Sequence, residues 1–236
     1  MLSSLLGRKI GMTQLYDAAG ILNQVTVVEC GPCPVLQVKT EATDGYNALQ
    51  LGFGDGRKKS ATKPMLGHFK KANVEIPKLF VREVRLPAGD AGKKEIEQLK
   101  MGDQVKVDIF EGTWKVDVTG VTKGRGFAGA IKKWNKNRGP AGHGSMNVRG
   151  SGAIGSDTRL THIRKGKHMP GHYGCDNVTV KNLELAKIDK NRNLLFIRGA
   201  VPGFKNGFVI VAKTRWIKPI PKVSAKAKKI EIRKKK

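Results

Sequence analysis

Short runs of alternating or β-branched residues dominate the hydrophobic pattern of this chain. Eight such runs, each bounded by Gly, Pro or Asp, predict short β-strands. They cover residues 25–29, 35–39, 48–53, 105–109, 114–118, 178–185, 194–198 and 208–212. Helical patterns are fewer and cover residues 61–72, 93–99 and 128–134. Because many short strands at close spacing are typical of a barrel or a sandwich, the pattern predicts a mainly β fold with minor α.

Residues 135–175 interrupt this pattern. Among these 41 residues there are nine Gly and seven Lys or Arg, but only four residues of the Val, Ile, Leu and Phe class. Such a segment buries too little apolar surface to offset the entropy lost on ordering. It also holds four of the five histidines of the chain. We therefore expect an RNA surface to order it, and a merely flexible, solvated loop is the alternative.

The positive charge is concentrated in two places. The 236 residues include 45 Lys and Arg against 19 Asp and Glu, which gives a formal net charge of +26. Residues 118–175 carry +10 and residues 213–236 another +10, which leaves +6 for the rest. A charge of this size repels itself in a compact state, and a polyanionic partner relieves the repulsion. The distribution predicts a near-neutral body with two basic, anion-binding segments.

Several protein classes are disfavoured by the same composition. Every apolar run is shorter than the roughly 18 residues of a membrane span. Three cysteines are an odd number for a secreted disulfide scaffold. The apolar stretch at the N-terminus is too short for a signal peptide, so we expect a cytoplasmic protein.

Cys30-Gly31-Pro32-Cys33 has the letters of a thioredoxin-type redox site. That chemistry requires the first thiol at the N-terminus of a helix, where its pKa is lowered. Here strand-like residues lie on both sides, and the neighbouring Glu29 opposes ionisation of the thiols. The pattern favours a structural turn in a β-hairpin, with a redox enzyme as the alternative.

A zinc site is a second hypothesis that involves these cysteines. His168, His172 and Cys175 have a His-x3-His-x2-Cys spacing that is plausible for zinc ligands, together with Cys30 and Cys33. Nothing in the sequence brings the two distant segments together. Histidines in a basic, glycine-rich loop more often contact phosphates or bases, so we expect no metal.

Residues 124–129 match the glycine fingerprint of dinucleotide-binding sites and precede a possible helix. A Rossmann site also requires an acidic residue about 20 positions further on. The next acid is Asp157, and no βαβ unit follows. We therefore expect no cofactor, and we expect the glycines to bring the backbone close to an RNA phosphate.

The same glycine segment carries a family resemblance. A signature of the L-three family of large-subunit ribosomal proteins is matched in spacing by Phe110, Asp117, Gly120, Thr122, Gly124, Arg125, Gly126 and Gly129. Lys133 stands where that signature has Arg. Lys keeps the positive charge but cannot form the two parallel hydrogen bonds of a guanidinium group. Further similar stretches are 7–14, 143–145, 151–155, 165–172 and 199–203. The chain resembles the bacterial type of this family over residues 1 to about 212.

The resemblance implies a translation-factor-like β-barrel body, residues 1–124 and 176–212, with a small α+β insertion near 55–100. It implies that residues 125–175, which we call the extension, reach into 23S-type ribosomal RNA toward the peptidyl transferase centre. Residues 213–236 then form a basic C-terminal tail. Members of the family bind near the 3′ region of that RNA, act early in subunit assembly and contact neighbouring ribosomal proteins. The resemblance therefore implies a structural protein of the ribosome, not an enzyme, with no membrane or small-molecule partner.

The expected mechanism is binding rather than turnover. Lys and Arg neutralise phosphates and release counterions, and glycines give a backbone thin enough to thread between RNA helices. The residues expected to contact RNA are Arg125, Lys132, Lys133, Trp134, Lys136, Arg138, His143, Arg149, Arg159, Arg164, Lys165, Lys167, His168 and His172. For Trp134, stacking on a base and packing onto the barrel both stay open. A general DNA-compacting protein is the alternative from a different class.

Overall fold

The computed structural model describes residues 2–17, 20–87, 99–155 and 162–214. Almost all of the helix predicted at 93–99, the candidate residue Arg159 and almost all of the predicted C-terminal tail lie outside the described residues. Within the described ranges, no helix is long and apolar enough to span a membrane.

Six antiparallel strands in the described part of the chain close a barrel. Their order around it is β1 (Ser4–Tyr16), β12 (Phe208–Lys213), β7 (Lys115–Val121), β10 (Asn177–Asp189), β11 (Leu194–Arg198) and β2 (Leu22–Cys30). Alternate residues are buried along β7, β11 and β12, as the period of two requires for strands with one face in the core. The prediction of a mainly β fold with minor α is confirmed.

A second antiparallel sheet is inserted in the chain between β2 and β7. Its strand order is β5 (Lys78–Arg85), β4 (Ala48–Asp55), β3 (Cys33–Lys39) and β6 (Gln104–Val105). The helices α1 (Glu41–Asp44) and α2 (Lys63–Lys71) belong to the same insertion. The sheet thus begins at Cys33, whereas the sequence placed the insertion near 55–100.

Three aromatic rings join this sheet to the barrel. Phe208 of β12 stacks on Phe80 of β5 with 4.9 Å between the ring centroids, and meets Phe53 of β4 edge-on at 6.3 Å. Both geometries are favourable for aromatic pairs. One hydrophobic cluster continues from Leu5 and Leu195 in the barrel to Leu49 in the sheet. The insertion therefore shares a core with the barrel.

Among the described residues between β7 and β10 there are three short elements. They are β8 (Phe127–Ala128), α3 (Ala130–Trp134) and β9 (Gly171–His172). The helix predicted at 128–134 is shorter than expected, because Ala128 belongs to β8.

Two local predictions are wrong and one is confirmed. The strand predicted at 105–109 ends at Val105, and a 3-10 turn, Val107–Phe110, follows and buries both of its terminal residues. The hairpin predicted at Cys30–Cys33 does not exist, since β2 and β3 flank the turn but pair in different sheets. The hairpin at 189–192 is confirmed: β10 pairs with β11, and Asp189 Oδ1 accepts the N–H groups of residues 191 and 192.

Candidate nucleic-acid interface

The extension leaves the barrel between β7 and β10, which are hydrogen-bonded neighbours. Beyond the barrel, Thr122 N–H donates to the Asp176 carbonyl (2.9 Å), and Asp176 N–H donates to Thr122 Oγ1 (3.2 Å). Further out, Arg125 N–H donates to the Tyr173 carbonyl and Tyr173 N–H donates to the Gly126 carbonyl, both at 2.9 Å. β8 and β9 continue this pairing. The two arms therefore leave the barrel as one paired ribbon.

Residues of the family signature build the base of this ribbon. Phe110 is fully buried in the core. Asp117 Oδ1 accepts the N–H of Asn182 at 2.8 Å, where the register of β10 shifts against β7. Gly124 lies so close to Cys175 that a Cβ would come 2.8 Å from its Sγ. Asp117 and Gly124 therefore position the extension, whereas Phe110 belongs to the core.

Two other stretches that resemble the family meet beside β1. Lys9 Nζ donates to the carbonyls of Val201 (2.7 Å) and Gly203 (3.3 Å). Burial lowers the pKa of Lys9, and the nearby charge of Lys123 lowers it further. Lys9 is thus engaged in a structural tie between β1 and the segment before β12.

The arms of the extension meet again at Trp134. Its indole stacks on the imidazole of His168 with 4.3 Å between centroids and 7° between planes. Its Nε1–H donates to the Met169 carbonyl at 2.9 Å, and Lys136 Nζ donates to the His168 carbonyl at 3.4 Å. Trp134 therefore joins the two arms, and the alternative that it packs onto the barrel is wrong. Base stacking by Trp134 stays a prediction, with His168 covering one ring face.

The basic candidates of the extension face solvent. Of the thirteen candidates in the described ranges, Lys133 and Lys136 are half-buried. The other eleven are exposed: Arg125, Lys132, Trp134, Arg138, His143, Arg149, Arg164, Lys165, Lys167, His168 and His172. No ion pair joins a candidate to a carboxylate of the described residues. The positive charge is therefore left for an external anion.

Two aromatic residues near the base are absent from the sequence-based candidates. Phe127 is 81% exposed on β8. Tyr173 lies under the Arg125 guanidinium, whose carbon is 5.2 Å from the ring centroid, a cation–π distance. Both follow a basic or histidine residue closely in the sequence, and this interleaving of aromatic and basic residues is the signal that could have indicated them.

Burial makes Cys30 and Cys33 poorly suited to redox chemistry. Both side chains are fully buried. Burial raises the pKa of Cys30 well above its usual value, with the neighbouring Cys33 and Glu29 adding to the effect, and it raises the pKa of Cys33 to about 12. Since the thiolate is the reactive form, a structural role fits these two residues better than redox catalysis.

We expect an alkylating reagent at pH 8 to label one thiol in the folded protein and three in denaturant. Cys175 is exposed, whereas the other two thiols are buried and protonated. Mass spectrometry of peptides counts and locates the labels, and Cys175→Ser is the control that removes folded-state labelling. Rapid labelling of Cys30 in the folded protein would contradict this assignment.

The zinc and dinucleotide hypotheses also fail on geometry. Cys30 and Cys33 are buried in the body, whereas His168, His172 and Cys175 are exposed in the extension. No group of three His, Cys, Asp or Glu in the described part of the chain is placed to hold a metal ion. After the glycine fingerprint, α3 has only five residues and β8 pairs antiparallel with β9, which is not a βαβ unit.

A closed β-barrel with a paired, glycine-rich arm of uncompensated positive charge has the architecture of a polyanion-binding protein. Comparison with known proteins identifies the family. The family model "Ribosomal protein L3" matches residues 78–195. A protein named large ribosomal subunit protein uL3 from Pelotomaculum thermopropionicum is 48% identical over 211 residues, which cover 89% of this chain and 96% of that protein. The protein of the same name from Carboxydothermus hydrogenoformans is 45% identical, with 89% and 97% covered.

The chain therefore belongs to the ribosomal protein L3 family, as the resemblance in the sequence predicted. The family is structural and not enzymatic.

Proposed function

We propose that this chain is a structural constituent of the large ribosomal subunit and that its extension binds 23S-type ribosomal RNA near the 3′ region. The observation that carries the proposal is the set of eleven exposed candidates without a carboxylate partner in the described ranges. Membership of the L3 family supports the ribosome as the setting.

The contacts of the extension support a division of labour along its length. Near the barrel, backbone pairing and the Trp134–His168 stack hold the arms together. Further out, residues 137–155 and 162–167 contain neither helix nor strand, although Gly139 N–H donates to the Val148 carbonyl at 3.0 Å. A segment with so few internal contacts takes its final shape from the partner surface. The paired base thus fixes the direction of the extension, and RNA orders its distal part.

The affinity of this arm comes from phosphates, and its specificity from RNA shape. Lys and Arg release counterions when they neutralise phosphates, which makes the affinity salt-dependent. Glycines let the backbone approach RNA closely. On the basis of its membership of the L3 family, we further propose that the distal part of the extension approaches the peptidyl transferase centre. We likewise propose that the chain joins the subunit early, in the cytoplasm, beside neighbouring ribosomal proteins.

Competition between nucleic acids tests this function against the DNA-compacting alternative. The full chain is bound to labelled large-subunit ribosomal RNA, and unlabelled duplex DNA or small-subunit ribosomal RNA of equal length competes at the same salt concentration. We expect each competitor to be weaker than unlabelled large-subunit RNA by about 10²-fold or more, since specific sites exceed non-specific ones by such factors. Equal competition by duplex DNA would show a general polyanion binder and contradict the proposal.

A further inference from the structure

The insertion carries a second basic surface, which we call the α2 surface. It consists of Arg57, Lys58, Lys59, Lys63, Lys70 and Lys71. No acidic residue stands between Asp55 and Glu75 in the sequence. All six side chains are exposed, and none forms an ion pair with a carboxylate of the described residues.

The local fold brings three of these charges, Lys58, Lys63 and Lys70, to one groove. α2 buries Phe69 and, just after its end, Ala72 against Leu36 of β3, which leaves its lysines on the outer side. A 3-10 turn, Lys58–Ser60, precedes the helix. Lys58 from this turn and Lys63 and Lys70 from α2 line one shallow groove. The groove also contains the apolar side chains of residues 66, 69 and 74, with Glu75 at its edge.

The average charge of the body conceals this surface. Residues 1–117 together carry +3, yet residues 57–71 alone carry +6, so the remainder carries −3. Six like charges within 15 residues repel one another unless a polyanion neutralises them. The near-neutral body expected from the sequence is therefore itself divided into a basic surface and a slightly acidic remainder.

The residue types identify the polyanion as an RNA backbone. Five of the six charges are lysines, which bind phosphate as flexible point charges and do not form the planar fork that reads a base edge. The aromatic ring of the segment, Phe69, is buried and unavailable for stacking on a base. His68 is engaged with Gln50 Oε1 at 2.6 Å. Lysines without exposed aromatics suit phosphates along a duplex, which proteins recognise by shape and backbone.

We propose that the α2 surface binds the phosphate backbone of a second segment of large-subunit ribosomal RNA, separately from the extension. The inference rests on the proposed function, because the RNA is the same molecule. The three lysines that line the groove, Lys58, Lys63 and Lys70, contact the phosphates of this backbone. An acidic protein segment is the competing occupant that the test below separates.

The test compares two full-chain variants with equal loss of charge. K58Q/K63Q/K70Q removes the groove lysines, and K181Q/K187Q/K205Q removes three exposed lysines from β10 and the loop before β12. Binding to large-subunit ribosomal RNA is measured at several salt concentrations, with circular dichroism as a check on folding. We expect the groove variant to flatten the slope of log affinity against log salt by about 2 to 3, since each phosphate contact contributes about 0.7 to 0.9. The control variant keeps the slope, and K58R/K63R/K70R restores it.

Two results would overturn the inference. One is a groove variant whose slope is unchanged or falls no more than that of the control. The other is loss of binding to poly-glutamate with RNA binding intact, which would assign the surface to an acidic protein segment. Ribose-cleavage footprints add a further requirement: the nucleotides exposed by the groove variant must differ from those exposed by variants in the extension. If the extension variants weaken binding and the groove variant does not, the inference about the α2 surface fails while the proposed function stands. If the wild-type chain does not prefer large-subunit ribosomal RNA, the proposed function itself fails.

Discussion

Replacing Arg138, Arg149, Arg164 and Lys165 together by Gln is expected to weaken binding to large-subunit ribosomal RNA by about a hundredfold or more near physiological salt. The slope of log affinity against log salt falls by about 3, because four phosphate contacts are lost. All four side chains are exposed, and none has a carboxylate partner or a side-chain hydrogen bond among the described residues. The substitutions therefore act on binding and leave the fold intact.

A salt-series titration of the quadruple variant against a matched control measures this effect. The control replaces Lys181, Lys187, Arg192 and Lys205, which are exposed on the barrel, by Gln. Both variants lose four positive charges, so a purely non-specific attraction would weaken them equally. An unchanged slope for the extension variant, or the same change in both variants, would contradict the role given to the extension. An unfolding temperature equal to that of the wild-type chain confirms that neither variant is destabilised.

The sequence predicted those strands whose own side chains alternate between core and solvent. β12 and β11 bury every second residue and were predicted nearly in full. β1 was missed because only its first four residues are buried, and the apolar residues of its second half are half-buried or exposed, without a regular alternation. Its strand conformation is set by hydrogen bonds to β12 and then to β2 along nearly its whole length. A strand that is stabilised mainly by hydrogen bonds to its neighbours need not show the alternating hydrophobic pattern by which strands are predicted from a sequence.

The interface was predictable in composition but not in arrangement. Exposed basic residues do not depend on packing inside the protein. The charge and glycine content of a segment are therefore enough to identify them. The link from Trp134 to Met169 spans 35 residues, and its geometry depends on closure of the whole ribbon. The same holds for the Arg125–Tyr173 contact. The α2 surface was overlooked because the charge was counted over all residues outside 118–175 and 213–236 together, where acidic residues cancel most of it.

Replacing Gly174 by Ala is expected to open the base of the extension. Gly174 has φ of +80°, and an added Cβ would overlap the Lys123 carbonyl oxygen and lie 2.9 Å from the Gly124 Cα. Both are backbone atoms of the opposite arm, so the two arms must separate at this point. The backbone hydrogen bonds of Tyr173 with Arg125 and Gly126 lie next to this contact and are the first to break. The arms then lose their fixed direction, and the affinity for ribosomal RNA falls by about tenfold or more as the ordering entropy of the base is added to binding.

Gly166→Ala separates this steric effect from backbone strain. Gly166 also has φ of +80° and lies in the same extension, but an added Cβ there meets nothing within 4 Å. It therefore bears only the left-handed penalty of about 1–2 kcal/mol. Amide exchange at Arg125 and Tyr173, measured alongside RNA affinity, is expected to accelerate in Gly174→Ala and to stay slow in Gly166→Ala. Equally slow exchange in both variants would show that the added Cβ does not open the base. Unchanged RNA affinity in spite of an opened base would show that the base does not direct the arm and that the charges alone account for binding.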